Sequence, residues 1–174
     1  TEKNIGMKKV HVLHKKIQEI NSELNIFPFD HKLNQNNVKR IFNGFNYILD
    51  CSDNFNTRFL VNKYCHKMKK ILVTAALQNF DLQAAILKSW DNNNPCYECL
   101  ISSLDGYQEE SCDEMGIVAP VAGIAGAIQA NLLINDLLGK EMSYSKIILL
   151  SCNDLRMRKI KLNKNPECLI CRKT

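Results

Sequence analysis

Two Cys-x-x-Cys pairs constrain this chain more than any other feature: Cys96 and Cys99 in Pro95-Cys-Tyr-Glu-Cys-Leu100, and Cys168 and Cys171 in Pro166-Glu-Cys-Leu-Ile-Cys. Each spacing lets two thiolates reach the same ion, and two pairs supply the four soft ligands of a closed, tetrahedral Zn²⁺ site. Because the second pair lies at the C-terminus, one shared site staples the tail to the middle of the fold. Two separate redox dithiols or a disulfide framework are the other readings. The first needs a strand-turn-helix context, and the second belongs to short secreted chains.

With 174 residues, 45% of them hydrophobic, the chain has enough material for one globular domain with a real core. Its net charge of +5 comes from 23 Lys/Arg against 18 Asp/Glu. No basic block with interleaved aromatics is present, so the pattern does not call for nucleic acid and suits an acidic protein partner or a nucleotide. Eight cysteines and the lack of an N-terminal apolar segment point to a reducing, cytoplasmic compartment. The longest apolar stretch, Ile117 to Ile134, is broken by Pro120, Gly123, Gly126, Gln129 and Asn131. It reads as a buried helix of a soluble protein and not as a membrane span.

The element pattern alternates. A helix carries Val10, Leu13, Ile17 and Ile20 on one face, and Leu24 to Phe29 alternates as a short strand. A short polar helix spans Asn34 to Phe42. A buried strand at Asn46 to Leu49 ends in a turn at Asp50 to Asn54, from which a helix runs from Phe55 to about Lys67. Further strands are expected at Ile71 to Ala75 and Gln83 to Trp90, followed by a loop carrying the first cysteine pair and a polar surface loop at Ser102 to Glu114. A long Ala/Gly-rich helix then ends at Gly139, and strands at Lys146 to Leu150 and Leu155 to Leu162 precede the second pair. The class is α/β.

The turn Asp50-Cys-Ser-Asp53-Asn54-Phe-Asn-Thr-Arg58 sets carboxylates just past a strand end, where α/β sheets collect ligands. Asp53 there can hold Mg²⁺ or, through it, a nucleotide phosphate. Taken alone, the same turn is also ordinary helix capping by Ser52 or Asp53.

Several pieces occur in one order: Ile5-Gly6-Met7-Lys8-Lys9; Asn21; Asp53-Asn54 with Arg58 and Asn62; the Pro-Cys-x-x-Cys loop; Cys112; Gly116 through Pro120, Gly123, Gly126 and Gln129; and the last cysteine pair. Together they resemble the ThiF/MoeB/HesA family, prokaryotic relatives of the ubiquitin-activating enzymes, across essentially the whole chain. The resemblance implies a Rossmann-like, mainly parallel sheet with an antiparallel extension and a four-cysteine zinc staple. It also implies an adenylyltransferase that uses ATP and Mg²⁺ to activate the Gly-Gly carboxylate of a ubiquitin-like sulfur-carrier protein of molybdopterin or thiamine biosynthesis, and it implies a homodimer.

By match to the family's motifs, Lys9 is the lysine that neutralises phosphate charge in the transition state. Its other reading is a solvated helix-start lysine, with Lys8 beside it easily confused for it. Asp53 corresponds to the residue tied to Mg²⁺ and nucleotide. Asn54 and Arg58 line or brace that site, an ion pair from Arg58 to Asp53 or Asp50 being the alternative. Cys112 matches a cysteine that in thiamine-pathway members bonds covalently to the carrier; a lone cysteine is otherwise inert. Cys51, Cys65 and Cys152 read as packing residues.

Family members carry an N-terminal βαβ segment whose Gly-rich turn cradles phosphates. This sequence does not contain it, so the expectation is a single adenylyltransferase-type domain, residues 1–174, with its N-terminal portion incomplete. Leu82 stands where relatives usually have glycine and is expected to crowd a close backbone approach. Two functions follow: the adenylylating enzyme, or a catalytically inactive, truncated, zinc-stabilised module that still binds the carrier.

Overall fold

The computed structural model describes residues 2–91, 93–102 and 117–172, which form two compact units, Thr1–Leu33 and Asn34–Thr174. The first unit is helix and coil. Its helix α1 (Lys9–Ile20) buries no residue fully, and Leu13 and Ile20 of its apolar stripe are exposed. The chain that follows is not the strand that alternation predicts. Pro28 removes a ladder donor, Phe27 and Phe29 are exposed, and Leu24 spends its carbonyl on the Gln18 amide at 3.1 Å.

The second unit is built on a five-stranded sheet in the order β1 (Tyr47–Asp50), β2 (Ile71–Gln78), β3 (Asp81–Leu87), β4 (Lys146–Ser151), β5 (Arg156–Lys161). β1 and β2 pair in parallel, with Asp50 opposite Thr74, because α3 (Phe55–Lys67) makes the crossover between them. The remaining three pairings are antiparallel. Among the described residues the parallel strand pairing is thus β1–β2, and the antiparallel extension is the larger share. Both tight connections place a non-glycine residue at positive φ: Asn79 (54°) between β2 and β3, and Leu155 (58°) before β5. Leu155 therefore belongs to the turn and not, as its sequence suggests, to the strand. β2 runs three residues beyond the expected Ala75, and β3 stops at Leu87, short of Trp90.

The long apolar helix, α5 (Ala119–Leu137), starts with proline in its first turn, where no hydrogen bond is lost. It lies on one face of the sheet. Val121 and Ala125 pack with Ala75, Leu82, Ala84 and Leu150. Leu82, expected to crowd the backbone, instead fills this interface and is 2% exposed, with the small Ala125 in the same cluster. Among the described residues no helix is long and apolar enough to cross a membrane.

Among its described residues the unit also holds two short helices, α2 (Val38–Phe42) and α4 (Tyr97–Ser102). The second corrects the expectation of a loop around the first cysteine pair. Asn62 of α3 accepts the Tyr97 amide at 2.9 Å, capping α4 from another helix. The expected surface loop at Ser102 to Glu114, and Cys112 with it, lies outside the described residues apart from Ser102.

Candidate functional site

Two constellations stand out in the second unit. The first is the turn between β1 and α3. Asp50, buried, folds back so that its Oδ1 accepts the Ser52 amide at 2.9 Å and the Ser52 hydroxyl at 2.6 Å. The helix cap is neither Ser52 nor Asp53 but Asn54, whose Oδ1 accepts the Thr57 amide at 2.9 Å. Its other amide atom, Nδ2, donates to Asp53 Oδ1 at 3.2 Å. Asp53 is exposed, so capping by Asn54 leaves this carboxylate at the surface, oriented by its neighbour.

Arg58 is 7% exposed and braces the turn from beneath. Its guanidinium donates to the carbonyl of Ala75 at 2.9 Å, to the Thr74 hydroxyl at 3.3 Å and to the carbonyl of Ser52. A fork of donors meeting backbone carbonyls from the turn and from β2 fixes where the turn sits relative to the strand ends.

Gln129 completes the brace, and sequence reasoning missed this role. From α5 its Nε2 donates to the carbonyls of Asp50 at 2.9 Å and Val73 at 3.2 Å, and its Oε1 faces the Cys51 thiol at 3.4 Å. A polar side chain inside an otherwise apolar helix was the available signal.

Lys9 lies in the first unit, at the start of α1, exposed and with no hydrogen-bond or ion-pair partner among the described residues. Lys8 is occupied: its Nζ donates to Asp30 Oδ2 at 2.6 Å, with His11 Nε2 at 3.4 Å from the same oxygen. The Lys8 ammonium holds the Asp30 carboxyl below the usual range. Of the two adjacent lysines, only Lys9 is free to meet an anion.

The second constellation is the cysteine cluster. Cys96, Cys99, Cys168 and Cys171 are all buried, with their sulfurs within 4.8 Å of one another. Individual separations are 3.5 Å for Cys96 to Cys168, 3.4 Å for Cys99 to Cys171 and 3.9 Å for Cys96 to Cys99. A tetrahedron of sulfurs about 2.3 Å from a central ion has edges of about 3.8 Å. The donor set therefore fits one ion of zinc's size and softness. Hydrogen bonds from Cys171 and Cys96, backed by the Asn165 amide at 3.4 Å, favour the thiolate at Cys99, whereas the contacts with Cys171 and Cys99 hold Cys96 protonated. Four sulfurs packed this tightly cannot all ionise unless a cation neutralises them. The free cysteines elsewhere differ: Cys65 is buried, its thiol pushed up by desolvation, and Cys152 packs beside the α5 core. Cys51, expected to pack, is instead exposed.

Residues 1–170 match the ThiF family, and the chain belongs to that family. It is 30% identical over 173 residues to a molybdopterin-synthase adenylyltransferase of Salmonella typhimurium, covering 98% of this chain and 68% of the relative. It is 31% identical to the Xenopus laevis adenylyltransferase and sulfurtransferase MOCS3, covering 98% of this chain but only 38% of that protein. Both relatives are named adenylyltransferases, and the chain spans only part of their length. Its fold matches the crystal structure of Escherichia coli MccB with ATP at a TM-score of 0.77 and 20% identity, over 98% of this chain and 53% of that one.

Proposed function

We propose that this chain adenylylates the C-terminal Gly-Gly carboxylate of a ubiquitin-like sulfur-carrier protein in molybdopterin or thiamine biosynthesis. A carboxylate oxygen of the carrier attacks the α-phosphorus of ATP. The bond from that phosphorus to the bridging oxygen of the β-phosphate breaks, and pyrophosphate leaves with the electron pair. The observation that carries this reading is the Asp53–Asn54 turn. One asparagine both caps α3 and orients an exposed carboxylate at the end of β1.

In this reading Asp53 and Asn54 hold the nucleotide through Mg²⁺, which when bound neutralises phosphate charge. Arg58 keeps the turn in register through its backbone contacts. Lys9, whose ammonium has no partner among the described residues, meets the charge that develops on phosphate. In sulfur transfer the Cys112 thiolate attacks the carrier's acyl-adenylate carbonyl, forming a thioester as the bond to the phosphate oxygen breaks and AMP leaves. Cys96, Cys99, Cys168 and Cys171 hold one structural Zn²⁺, which when bound closes the C-terminal tail onto α4. The protein works as a homodimer in the cytoplasm.

Carrier-dependent exchange of labelled pyrophosphate into ATP tests the reading. Exchange that requires the carrier and is lost in Asp53→Ala supports it. Carrier binding without exchange assigns the chain to the inactive, zinc-stabilised binding module instead.

A further inference from the structure

The acidic turn and the cysteine cluster meet the same helix. α3 starts at the Asn54 cap, one residue after Asp53. Phe55, Arg58, Phe59 and Asn62 recur along it at helical three- and four-residue spacing and so share one face. Arg58 holds the turn, and the face continues to α4. The ring of Phe55 lies 5.8 Å from that of Phe59, and the ring of Phe59 lies 6.2 Å from that of Tyr97. One turn further on, Asn62 Oδ1 accepts the Tyr97 amide at 2.9 Å.

Tyr97 ties this face to the cluster, since it follows Cys96 directly and stands just ahead of Glu98 and Cys99. Its side chain is buried, and with Thr74 of β2 it lines one small void against the sheet. Thr74 is also the residue whose hydroxyl accepts from the Arg58 guanidinium at 3.3 Å. The tyrosine inside the first cysteine pair is therefore wedged between α3 and the strand residue that anchors Arg58.

α4 does not hold that position by itself, because its 6 residues are too few for a helix to persist in water on its own hydrogen bonds. It is held by Asn62 at its first amide, by the Phe59 ring against Tyr97, and by the cluster that joins Cys96 and Cys99 to Cys168 and Cys171. The cluster stays closed with its thiols ionised only around a cation, since four thiolates so near one another repel. When α4 leaves, Phe59 and Asn62 lose their partner within about two turns of the Asn54 cap, which orients Asp53.

We propose that Asn62 and Phe59 are positioning residues for the adenylylation reaction: through Tyr97 they make the docking of α4 and the ordering of the Asp53–Asn54 turn one cooperative step. This coupling rests on the reading of Asp53 as the carboxylate that holds MgATP, and it adds a regulation to that site. Metal at the cysteines and MgATP at the turn both favour docked α4, so each strengthens the binding of the other by the same factor. A cluster that only staples the tail would leave the two affinities independent.

The test is the zinc dissociation constant of the full chain, measured by competition with a chelator of known affinity, with and without saturating MgATP. Binding of MgATP is measured separately by isothermal titration. MgATP should lower the zinc constant of the wild type at least about fivefold. Asp53→Ala at the same nucleotide concentration should show no such change, which also controls for zinc held by ATP itself. Asn62→Ala and Phe59→Leu should each retain one zinc per chain and bind MgATP, with the ratio reduced to less than about twofold. If these variants weaken zinc binding equally with and without MgATP, keeping the wild-type ratio, their role is structural and the proposal is overturned. Should Asn62→Ala fail to fold, the wild type and Phe59→Leu carry the test. A wild-type zinc constant indifferent to MgATP that demonstrably binds overturns the coupling and leaves the adenylylation reading standing. Absence of MgATP binding to the wild-type chain overturns both.

Discussion

The side-chain amide of Gln129 donates to the main-chain carbonyl of Asp50 at 2.9 Å, joining α5 to the end of β1 where the acidic turn begins. The same nitrogen reaches the carbonyl of Val73, so one buried group spans the parallel strand pair. Gln129→Leu keeps the volume but leaves both carbonyls short of a donor, a loss of about 1–3 kcal/mol. The urea midpoint should fall accordingly with an unchanged denaturant slope, and pyrophosphate exchange should fall with it as the turn loosens. An unaltered midpoint would show that water replaces the amide without cost.

Asp53 and Asn54 separate chemistry from stability. Asp53→Ala should leave the melting temperature near wild type while reducing exchange on the order of 10²-fold or more, because the residue that caps α3 is Asn54. Asn54→Ala removes the Thr57 cap and the Asp53 contact together. It should cost about 1 kcal/mol and also reduce exchange. The pair of measurements fails if Asp53→Ala destabilises as much as Asn54→Ala.

For the cysteine cluster, elemental analysis should find one zinc per chain. Cys168→Ser should lose metal and stability in the same experiment, since binding energy at a closed site is folding energy. Full zinc content in that variant would remove the single shared site.

Much of this architecture is legible because local chemistry dictates it. The Phe55–Lys67 helix has the bounds expected from its pattern, and the four cysteines converge as their spacing demands. What sequence reading misread depends on contacts distant in sequence. The start of α4 is fixed by Asn62, 35 residues earlier, so the cysteine pair looked like a loop. By residue type the cap is expected at Ser52 or Asp53, whereas the backbone geometry places it at Asn54. Leu24 to Phe29 has strand alternation without a partner strand among the described residues, and alternation alone does not make a ladder.

The last prediction concerns pH and rests on Asp136, whose two carboxylate oxygens accept from two phenols: Tyr47 at 2.7 Å and Tyr144 at 2.5 Å. The arrangement ties the start of β1 and the segment before β4 to the end of α5. Tyr47 is pushed up to about 12, first by its hydrogen bond to Asp136 and then by desolvation. Tyr144 is likewise pushed up to about 12, first by desolvation and then by the same carboxylate. An unfolded tyrosine ionises near its ordinary value of 10.0. Between 10 and about 12 the unfolded chain has therefore surrendered protons that the fold retains, and raising the pH through that window favours unfolding. The contribution of the two phenols is fully present below pH 10 and is lost as pH rises towards their folded values. Asp136→Asn removes the charge that holds both phenols neutral, so its stability should fall less steeply across the window, and phenolate absorbance of the folded protein should appear at lower pH. Near neutral pH, Tyr47→Phe and Tyr144→Phe should each cost about 1–2 kcal/mol. Identical alkaline titration of wild type and Asp136→Asn would show that this carboxylate does not set the tyrosine ionisation.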